Sequence, residues 1–164
     1  MNYHDITKSD MLNGEGLRVV LWVSGCEHYC DNCQNPQTWS YDGGIPFDDN
    51  AKQEIFEELK KDYIAGLTLS GGDPFAKKNR NEVFKFLNQV KTKFPDKNIW
   101  CYTGYRYEDI KHLRHLWFID ILVDGKFDEQ LSKPSPKWCG SANQRIIDVQ
   151  KSLQQKKVVL KEED

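Results

Sequence analysis

The sequence contains no apolar run that approaches the roughly 20 residues needed to span a membrane. It also has little net charge, because 23 lysines and arginines nearly balance 25 aspartates and glutamates and leave −2 at pH 7. This balance argues against a basic surface for nucleic acid or for an anionic membrane. No internal repeat or low-complexity linker divides the 164 residues. That length suits one domain with a real core and is too short for two.

Cysteine is scarce and odd in number. There are five, so a disulfide framework that pairs every cysteine is excluded. Three of them, Cys26, Cys30 and Cys33, lie within eight positions. This clustering is typical of a metal site in a reducing compartment. The first residues, Met1 to Asp5, lack the basic and apolar regions of a signal peptide, so we expect a cytoplasmic protein.

Strand and helix signals alternate along the chain. Apolar, β-branched runs predict strands at 17–23, 67–70, 98–102 and 118–123. Helical spacing of apolar residues predicts helices after Asp48, over 79–94 and over 107–115. Such alternation predicts an α/β fold with a parallel sheet and right-handed crossovers.

The length limits how far this sheet can extend. A complete eight-stranded (β/α) barrel needs about 250 residues. We therefore expect a single domain over residues 1–150 that forms a partial, open (β/α) barrel of roughly five or six strands. Residues 151–164 are predicted to form a charged C-terminal tail, of which the stretch from Lys156 to Asp164 is expected to be solvated and mobile.

Polar and glycine-rich clusters follow each predicted strand. They are Ser24-Gly25-Cys26, Ser70-Gly71-Gly72-Asp73-Pro74, Tyr102-Thr103-Gly104-Tyr105 and Asp124-Gly125-Lys126-Phe127. Ligand sites of parallel α/β folds lie at the carboxyl ends of the strands, so we expect all four clusters at one mouth. Two adjacent glycines let a ligand approach the backbone, and Asp73 could accept hydrogen bonds from a ligand ammonium group. Taken alone, Gly-Gly-Asp-Pro is more often simply a tight turn.

The spacing Cys-x3-Cys-x2-Cys is compatible with two kinds of metal centre. Three thiolates can hold three irons of a 4Fe–4S cluster and leave the fourth iron free to bind a substrate. The same thiolates could instead belong to a four-ligand zinc site, with Cys101, Cys139 or His28 as the fourth ligand. His28 lies within the cysteine loop, which makes it a serious candidate. The triplet alone favours the cluster without deciding the question.

The cysteine triplet followed by Gly71-Gly72-Asp73 resembles the radical S-adenosylmethionine superfamily. Its mark is Cys-x3-Cys-x2-Cys followed by a Gly-Gly-Glu/Asp turn on the next strand. Within it, the chain is similar to the glycyl-radical activating enzymes from Asn2 to about Arg145, through Asn13–Arg18, Asn35, Thr38-Trp39, Thr103–Tyr105, Val123–Phe127 and Gly140–Arg145. Asn32 departs from the pattern, because many radical enzymes carry an aromatic residue just before the third cysteine.

The resemblance implies two cofactors, one 4Fe–4S cluster and S-adenosylmethionine. It implies that Cys26, Cys30 and Cys33 ligate the cluster, and that Gly71, Gly72 and Asp73 hold the methionine end of the nucleotide. Asp124 and Lys126 look like the Asp-x-Lys pair placed against the methionine carboxylate. The remaining residues expected near the cofactor are Asn32, Gln34 and Thr103. No side chain is assigned a catalytic role, because the chemistry belongs to the cofactors.

The activity that the resemblance implies is reductive cleavage of S-adenosylmethionine to generate a glycyl radical on a partner protein. The implied partner is an anaerobic (class III) ribonucleoside-triphosphate reductase, with an electron donor such as flavodoxin. We expect Gly140–Arg145 to lie near the mouth of the site, against the cofactor or the partner. Two alternatives stay open: an activase for a formate-lyase-type partner, whose relatives more often run longer, and a non-catalytic zinc-binding module.

Overall fold

Seven strands form one open sheet in the computed structural model, which describes residues 1–162. In chain order they are β1 (Asn2–Asp10), β2 (Arg18–Val23), β3 (Ile45–Pro46), β4 (Gly66–Gly71), β5 (Asn98–Tyr102), β6 (Ile121–Asp124) and β7 (Arg145–Asp148). Their order across the sheet is β3-β1-β2-β4-β5-β6-β7. The four central strands β2, β4, β5 and β6 are parallel, and β1, β3 and β7 add antiparallel edges.

Two long helices cover the parallel strands. They are α1 (Asp49–Leu59) and α2 (Arg80–Lys93), and the shorter α3 (Tyr107–Ile110) and α4 (Val149–Gln155) follow. Helix α1 begins at the predicted cap, where the Asp48 carboxylate accepts the backbone N–H of Ala51. The apolar faces of α1 and α2 join the strands in one core that includes Ile55, Phe56, Leu59, Val83, Phe86, Leu87 and Val90. No helix among the described residues combines the length and apolar character needed to cross a membrane.

The predicted α/β class is confirmed, with two differences in detail. The sheet has seven strands rather than five or six, because three antiparallel edge strands were not expected. The predicted helix over 107–115 ends at Ile110, and Arg114–Phe118 forms a 3₁₀ turn before β6. Tertiary contacts hold this turn, since the Gln150 amide donates to the carbonyls of Leu116 and Ile119.

The segment predicted to be a charged tail is folded as far as residue 162. Residues 149–155 form α4, whose first turn is capped by the carboxylate of Asp148. The chain then turns back beside β7, where Lys161 N–H donates to the carbonyl of Ile146 at 2.8 Å. Leu153 and Val158 pack against the core, and the surrounding lysines hide this apolar pattern in the sequence. Glu163 and Asp164 lie outside the described residues.

Arg18 joins the amino ends of three parallel strands from a fully buried position. Its guanidinium donates to Thr68 Oγ1 at 2.8 Å and to the carbonyls of Glu15, Leu67 and Asn98 at 3.0, 2.9 and 3.3 Å. Among the described residues no carboxylate forms an ion pair with it, and burial lowers the pKa of Arg18 to about 10. Neutral acceptors alone therefore satisfy a buried cation.

Replacing Arg18 by methionine should destabilise the protein, because buried acceptors on β4 and β5 lose their donor. We expect Arg18→Met to lower the free energy of unfolding by roughly 2–3 kcal/mol, measured by urea denaturation of the metal-free chain. The matched control is Arg106→Met, at a side chain that is 67% exposed, and it should change stability by less than about 0.5 kcal/mol. Equal effects of the two substitutions would contradict the role given to Arg18.

Candidate functional site

The carboxyl ends of β2, β4, β5 and β6 surround an open cavity of about 450 Å³. The expectation that four strand ends meet at one mouth is thereby confirmed. Most of the residues singled out in the sequence line this cavity, namely Cys26, Cys30, Cys33, Gln34, Gly71, Gly72, Asp73 and Thr103. Segment Gly140–Arg145 also reaches the mouth, as predicted, since Gly140 and Gln144 belong to the lining.

A second cavity of about 510 Å³ adjoins the first and shares His28, Gly104 and Gly125 with it. Asp124 and Lys126 line this second space, together with Arg145. Asn32 stands apart from both, because it is exposed and its amide donates to Glu129 Oε2 at 2.5 Å. The candidate residues therefore divide between two neighbouring cavities, and Asn32 lines neither of them.

The root of the cysteine loop is fixed by backbone hydrogen bonds on both sides. Gly25 N–H donates to the carbonyl of Thr38 at 2.7 Å, and the Gly25 carbonyl accepts Asp73 N–H at 2.7 Å. One residue on, Cys26 N–H donates to the carbonyl of Trp39 at 3.1 Å. The first cysteine is thus tied both to the turn after β4 and to the 3₁₀ turn Pro36–Thr38.

Gly71 and Gly72 make this close contact possible. Gly71 has φ of +105°, and a Cβ there would lie 2.6 Å from the backbone nitrogen of Val23. A Cβ on Gly72 would lie 2.8 Å from the carbonyl oxygen of Thr38 and would also meet the Gly25 carbonyl. The sequence suggests that these glycines make room for a ligand. In the structure they also make room for the backbone of the cysteine loop.

The three clustered cysteines are free thiols of intermediate exposure. Burial raises the pKa of Cys26 to about 11 and also raises the pKa of Cys30. One backbone N–H donates to a sulfur of the triplet, since Asn35 donates to Cys33 Sγ at 3.4 Å. The backbone N–H groups of His28 and Phe127 partly oppose the rise in the pKa of Cys26 and of Cys30. Metal binding must therefore displace thiol protons, and the N–H donors would then stabilise the thiolates.

These thiols fit an iron–sulfur cluster in number, exposure and surroundings. All three face one cavity, and the backbone N–H that donates to Cys33 Sγ is of the kind that tunes such clusters. Within residues 1–162, no three His, Cys, Asp or Glu side chains are close enough to share a single metal ion. In this conformation the sulfurs stand apart around the cavity.

Asp73 is 1% exposed, and its carboxylate accepts four donors of the protein itself. They are the backbone N–H groups of Phe75 and Gly104, the hydroxyl of Thr103 and Nε2 of His28. A carboxylate with four protein donors has little capacity left for a ligand. The expected direct contact with a ligand ammonium group would require one of these donors to leave.

Asp124 is likewise 1% exposed, and other groups of the protein bind its carboxylate. Its carboxylate accepts Tyr107 N–H at 2.7 Å and pairs with Arg145, whose Nη2 lies 2.6 Å from Oδ2. Arg145 also contacts both carboxylate oxygens of Glu108 at 2.9 Å, which lowers the pKa of Glu108. In contrast, Lys126 is exposed, and no carboxylate among the described residues forms an ion pair with it.

The lining residues that were not identified from the sequence include Trp22 and Trp138. Cys139, named in the sequence only as a possible zinc ligand, also lines the cavity, where it is partly buried and burial raises its pKa to about 11. His28 was considered only as a zinc ligand, and it is bonded to Asp73 instead. No local pattern indicates these positions, because their proximity arises from the fold.

Comparison with known proteins agrees with the chemistry of this donor set. A family model described as a 4Fe-4S single cluster domain matches residues 12–147, which places the chain among iron–sulfur proteins with one cluster. A relative from Enterobacteria phage T4 is 47% identical over 147 residues, covering 89% of this chain and 93% of its own. Relatives from Haemophilus influenzae and Escherichia coli K12 are 45% and 38% identical over 150 residues, covering 89% of this chain and 97% of theirs.

All three relatives carry the name anaerobic ribonucleoside-triphosphate reductase-activating protein. The identities are high and the coverage is nearly complete on both sides. The chain therefore belongs to the family of anaerobic ribonucleoside-triphosphate reductase-activating proteins.

The contact between Gly72 and the cysteine loop can be tested by adding one methyl group. Gly72→Ala should lower the free energy of unfolding by roughly 1–3 kcal/mol, because backbone atoms of Gly25 and Thr38 must move. The control is Gly140→Ala in the same cavity wall, where a Cβ would lie 3.3 Å from Phe127. It should cost less than about 0.5 kcal/mol. Urea denaturation of both metal-free variants measures these changes. An unchanged free energy of unfolding in Gly72→Ala would refute the tight packing.

Proposed function

We propose that this chain is a radical S-adenosylmethionine oxidoreductase that activates an anaerobic (class III) ribonucleoside-triphosphate reductase. The observation that carries the proposal is the placement of Cys26, Cys30 and Cys33 around one cavity with the Gly71-Gly72-Asp73 turn. The names of the relatives support the partner, and the 4Fe-4S family match supports the cluster. The open sheet with four parallel strands is compatible with a partial (β/α) barrel of the radical enzyme type.

When bound, the cluster would supply one electron for reductive cleavage of S-adenosylmethionine, and hydrogen abstraction from a glycine of the reductase would leave a glycyl radical there. Cys26, Cys30 and Cys33 would each hold one iron, which leaves one iron for the nucleotide. The backbone N–H that donates to Cys33 Sγ would help to set the reduction potential. The chain's own side chains would bind and orient rather than transfer protons.

Gly71 and Gly72 would hold the methionine end through the backbone at the cavity wall. Asp73 would act by fixing this turn, because its carboxylate is buried and already accepts four donors. Thr103 would serve the same network, since its hydroxyl lies 2.9 Å from Asp73 Oδ1. Gln34 is exposed in the main cavity and free to contact the nucleotide, and Asn32 would approach it from the rim.

Lys126 would meet the methionine carboxylate. Lys126 lines the second cavity, which shares lining residues with the space that the cysteines line. Asp124 would orient the 124–126 turn through its bonds to Tyr107 and Arg145. In this assignment Lys126, the exposed residue of the Asp-x-Lys pair, provides the positive charge that pairs with the ligand carboxylate.

The open mouth suits a macromolecular substrate. A radical intermediate must be kept from water, and the walls of this cavity do not enclose it. The glycine-bearing segment of the reductase would therefore cover the mouth near Gly140–Arg145. Reducing equivalents would come from an electron donor such as flavodoxin, in the cytoplasm.

The cluster assignment predicts a sharp difference between two cysteines of the same cavity. Cys30→Ser should lose most of the iron and sulfide after anaerobic reconstitution, because one of three ligands is missing. Cys139→Ser, the matched control, should retain the cluster. With the reductase, S-adenosylmethionine and reductant, only the control should give the glycine-centred doublet in electron paramagnetic resonance.

The same samples separate the alternatives. One zinc per chain without sulfide would indicate the non-catalytic module. A doublet on a formate-lyase-type partner, but not on the ribonucleotide reductase, would indicate the other activase. Retained cleavage of S-adenosylmethionine in Cys30→Ser would contradict both catalytic readings.

Lys126 can be tested by binding alone. Lys126→Met should raise the dissociation constant for S-adenosylmethionine about tenfold, as expected when a hydrogen-bonded charge pair of about 1.4 kcal/mol is lost. Equilibrium dialysis of the reconstituted protein under anaerobic conditions measures this constant. The control Lys85→Met, on the exposed side of α2, should leave it unchanged. An unchanged constant in Lys126→Met would remove the residue from the site.

A further inference from the structure

His28 belongs to the cysteine loop, but its side chain reaches the turn after β4. Its Nε2 lies 2.6 Å from Asp73 Oδ2, and the two side chains are only 9% and 1% exposed. The imidazole also packs edge-on against Tyr105, with the ring centroids 4.6 Å apart. The side chain of His28, in the segment after β2, thus contacts the segments that follow β4 and β5.

Gly104 provides the space that the imidazole occupies. Its backbone N–H donates to the same oxygen, Asp73 Oδ2, at 2.9 Å. A Cβ at this position would lie 2.6 Å from His28 Nε2, and the three atoms nearest to it would all belong to the imidazole. The imidazole of His28 therefore occupies the space that a side chain at position 104 would need.

We propose that His28 is a positioning residue that braces the cysteine loop. Its bond to Asp73 holds the loop against the ends of β4 and β5, so that Cys26 and Cys30, two residues away on either side, face the cavity before a ligand arrives. Outer hydrogen bonds of this kind orient metal ligands and raise metal affinity. The inference deepens the proposed function and rests on it only where the cluster is measured.

A pair of variants separates the hydrogen bond from the volume of the ring. His28→Gln keeps an N–H donor close to the position of Nε2, whereas His28→Leu keeps apolar volume and removes the donor. After anaerobic reconstitution, His28→Leu should release iron to a chelator about tenfold faster than the unaltered protein, because loss of a supporting hydrogen bond lowers metal affinity by about 10- to 100-fold. His28→Gln should restore most of the slow release.

The affinity for S-adenosylmethionine gives an independent reading of the same variants. If His28 braces the loop, His28→Leu should bind S-adenosylmethionine more weakly, because the cysteine loop is no longer held against the turn after β4. Tighter binding together with unchanged iron release would show that His28 competes with the nucleotide for Asp73, and would overturn the brace. Equal iron release in both variants and the unaltered protein would also overturn it.

A double-mutant cycle tests the contact without any cluster. In the metal-free chain, Gly104→Ala should lower the urea midpoint, because the added methyl group displaces the imidazole. In a His28→Ala background the same methyl group enters vacated space, so Gly104→Ala should leave the midpoint unchanged or raise it. Equal decreases in both backgrounds would refute the contact. If the unaltered protein binds no cluster, the proposed function is contradicted. The double-mutant cycle would still show whether His28 packs in the space beside Gly104.

Discussion

The backbone of Gly25 is the point on which the candidate site depends. Its N–H is bonded to Thr38 and its carbonyl to Asp73, so the chain that leaves β2 is held between two other turns. Cys26 is the next residue, so this junction determines where the cysteine loop starts. A Cβ at Gly72 would enter the same junction, so any other residue there requires backbone atoms to move. Backbone packing thus fixes the point from which the cysteine loop begins.

Around this junction, buried and exposed polar groups have different tasks. Asp73 and Asp124 are both nearly inaccessible and accept donors of the protein itself. Burying a charge is costly unless it is paired and hydrogen-bonded, and both carboxylates meet that condition. Lys126 and Gln34 remain exposed at the cavities. The acidic residues of the strand ends therefore shape the site, and the exposed polar groups are left for a ligand.

Local patterns predicted the parts of this molecule that local forces determine. The α1 cap at Asp48, the bounds of β5 and the collection of strand ends at one mouth follow from periodicity, capping and sheet topology. Strand β1 was missed because only one of its faces is buried and its sequence is mostly polar. The contact between His28 and Asp73 joins residues 45 positions apart, and no spacing rule could indicate it. The folded segment after α4 was missed for a different reason, because its apolar residues lie among lysines and form no clear pattern.

The central claim is that three cysteines of this chain hold a 4Fe–4S cluster whose fourth iron accepts S-adenosylmethionine. Mössbauer spectroscopy of protein reconstituted with ⁵⁷Fe under anaerobic conditions addresses that iron directly. One iron of the cluster should change its spectral parameters when S-adenosylmethionine is added, while the other three stay as they were. Four irons with the parameters of full cysteine ligation, unchanged by the nucleotide, would contradict the account.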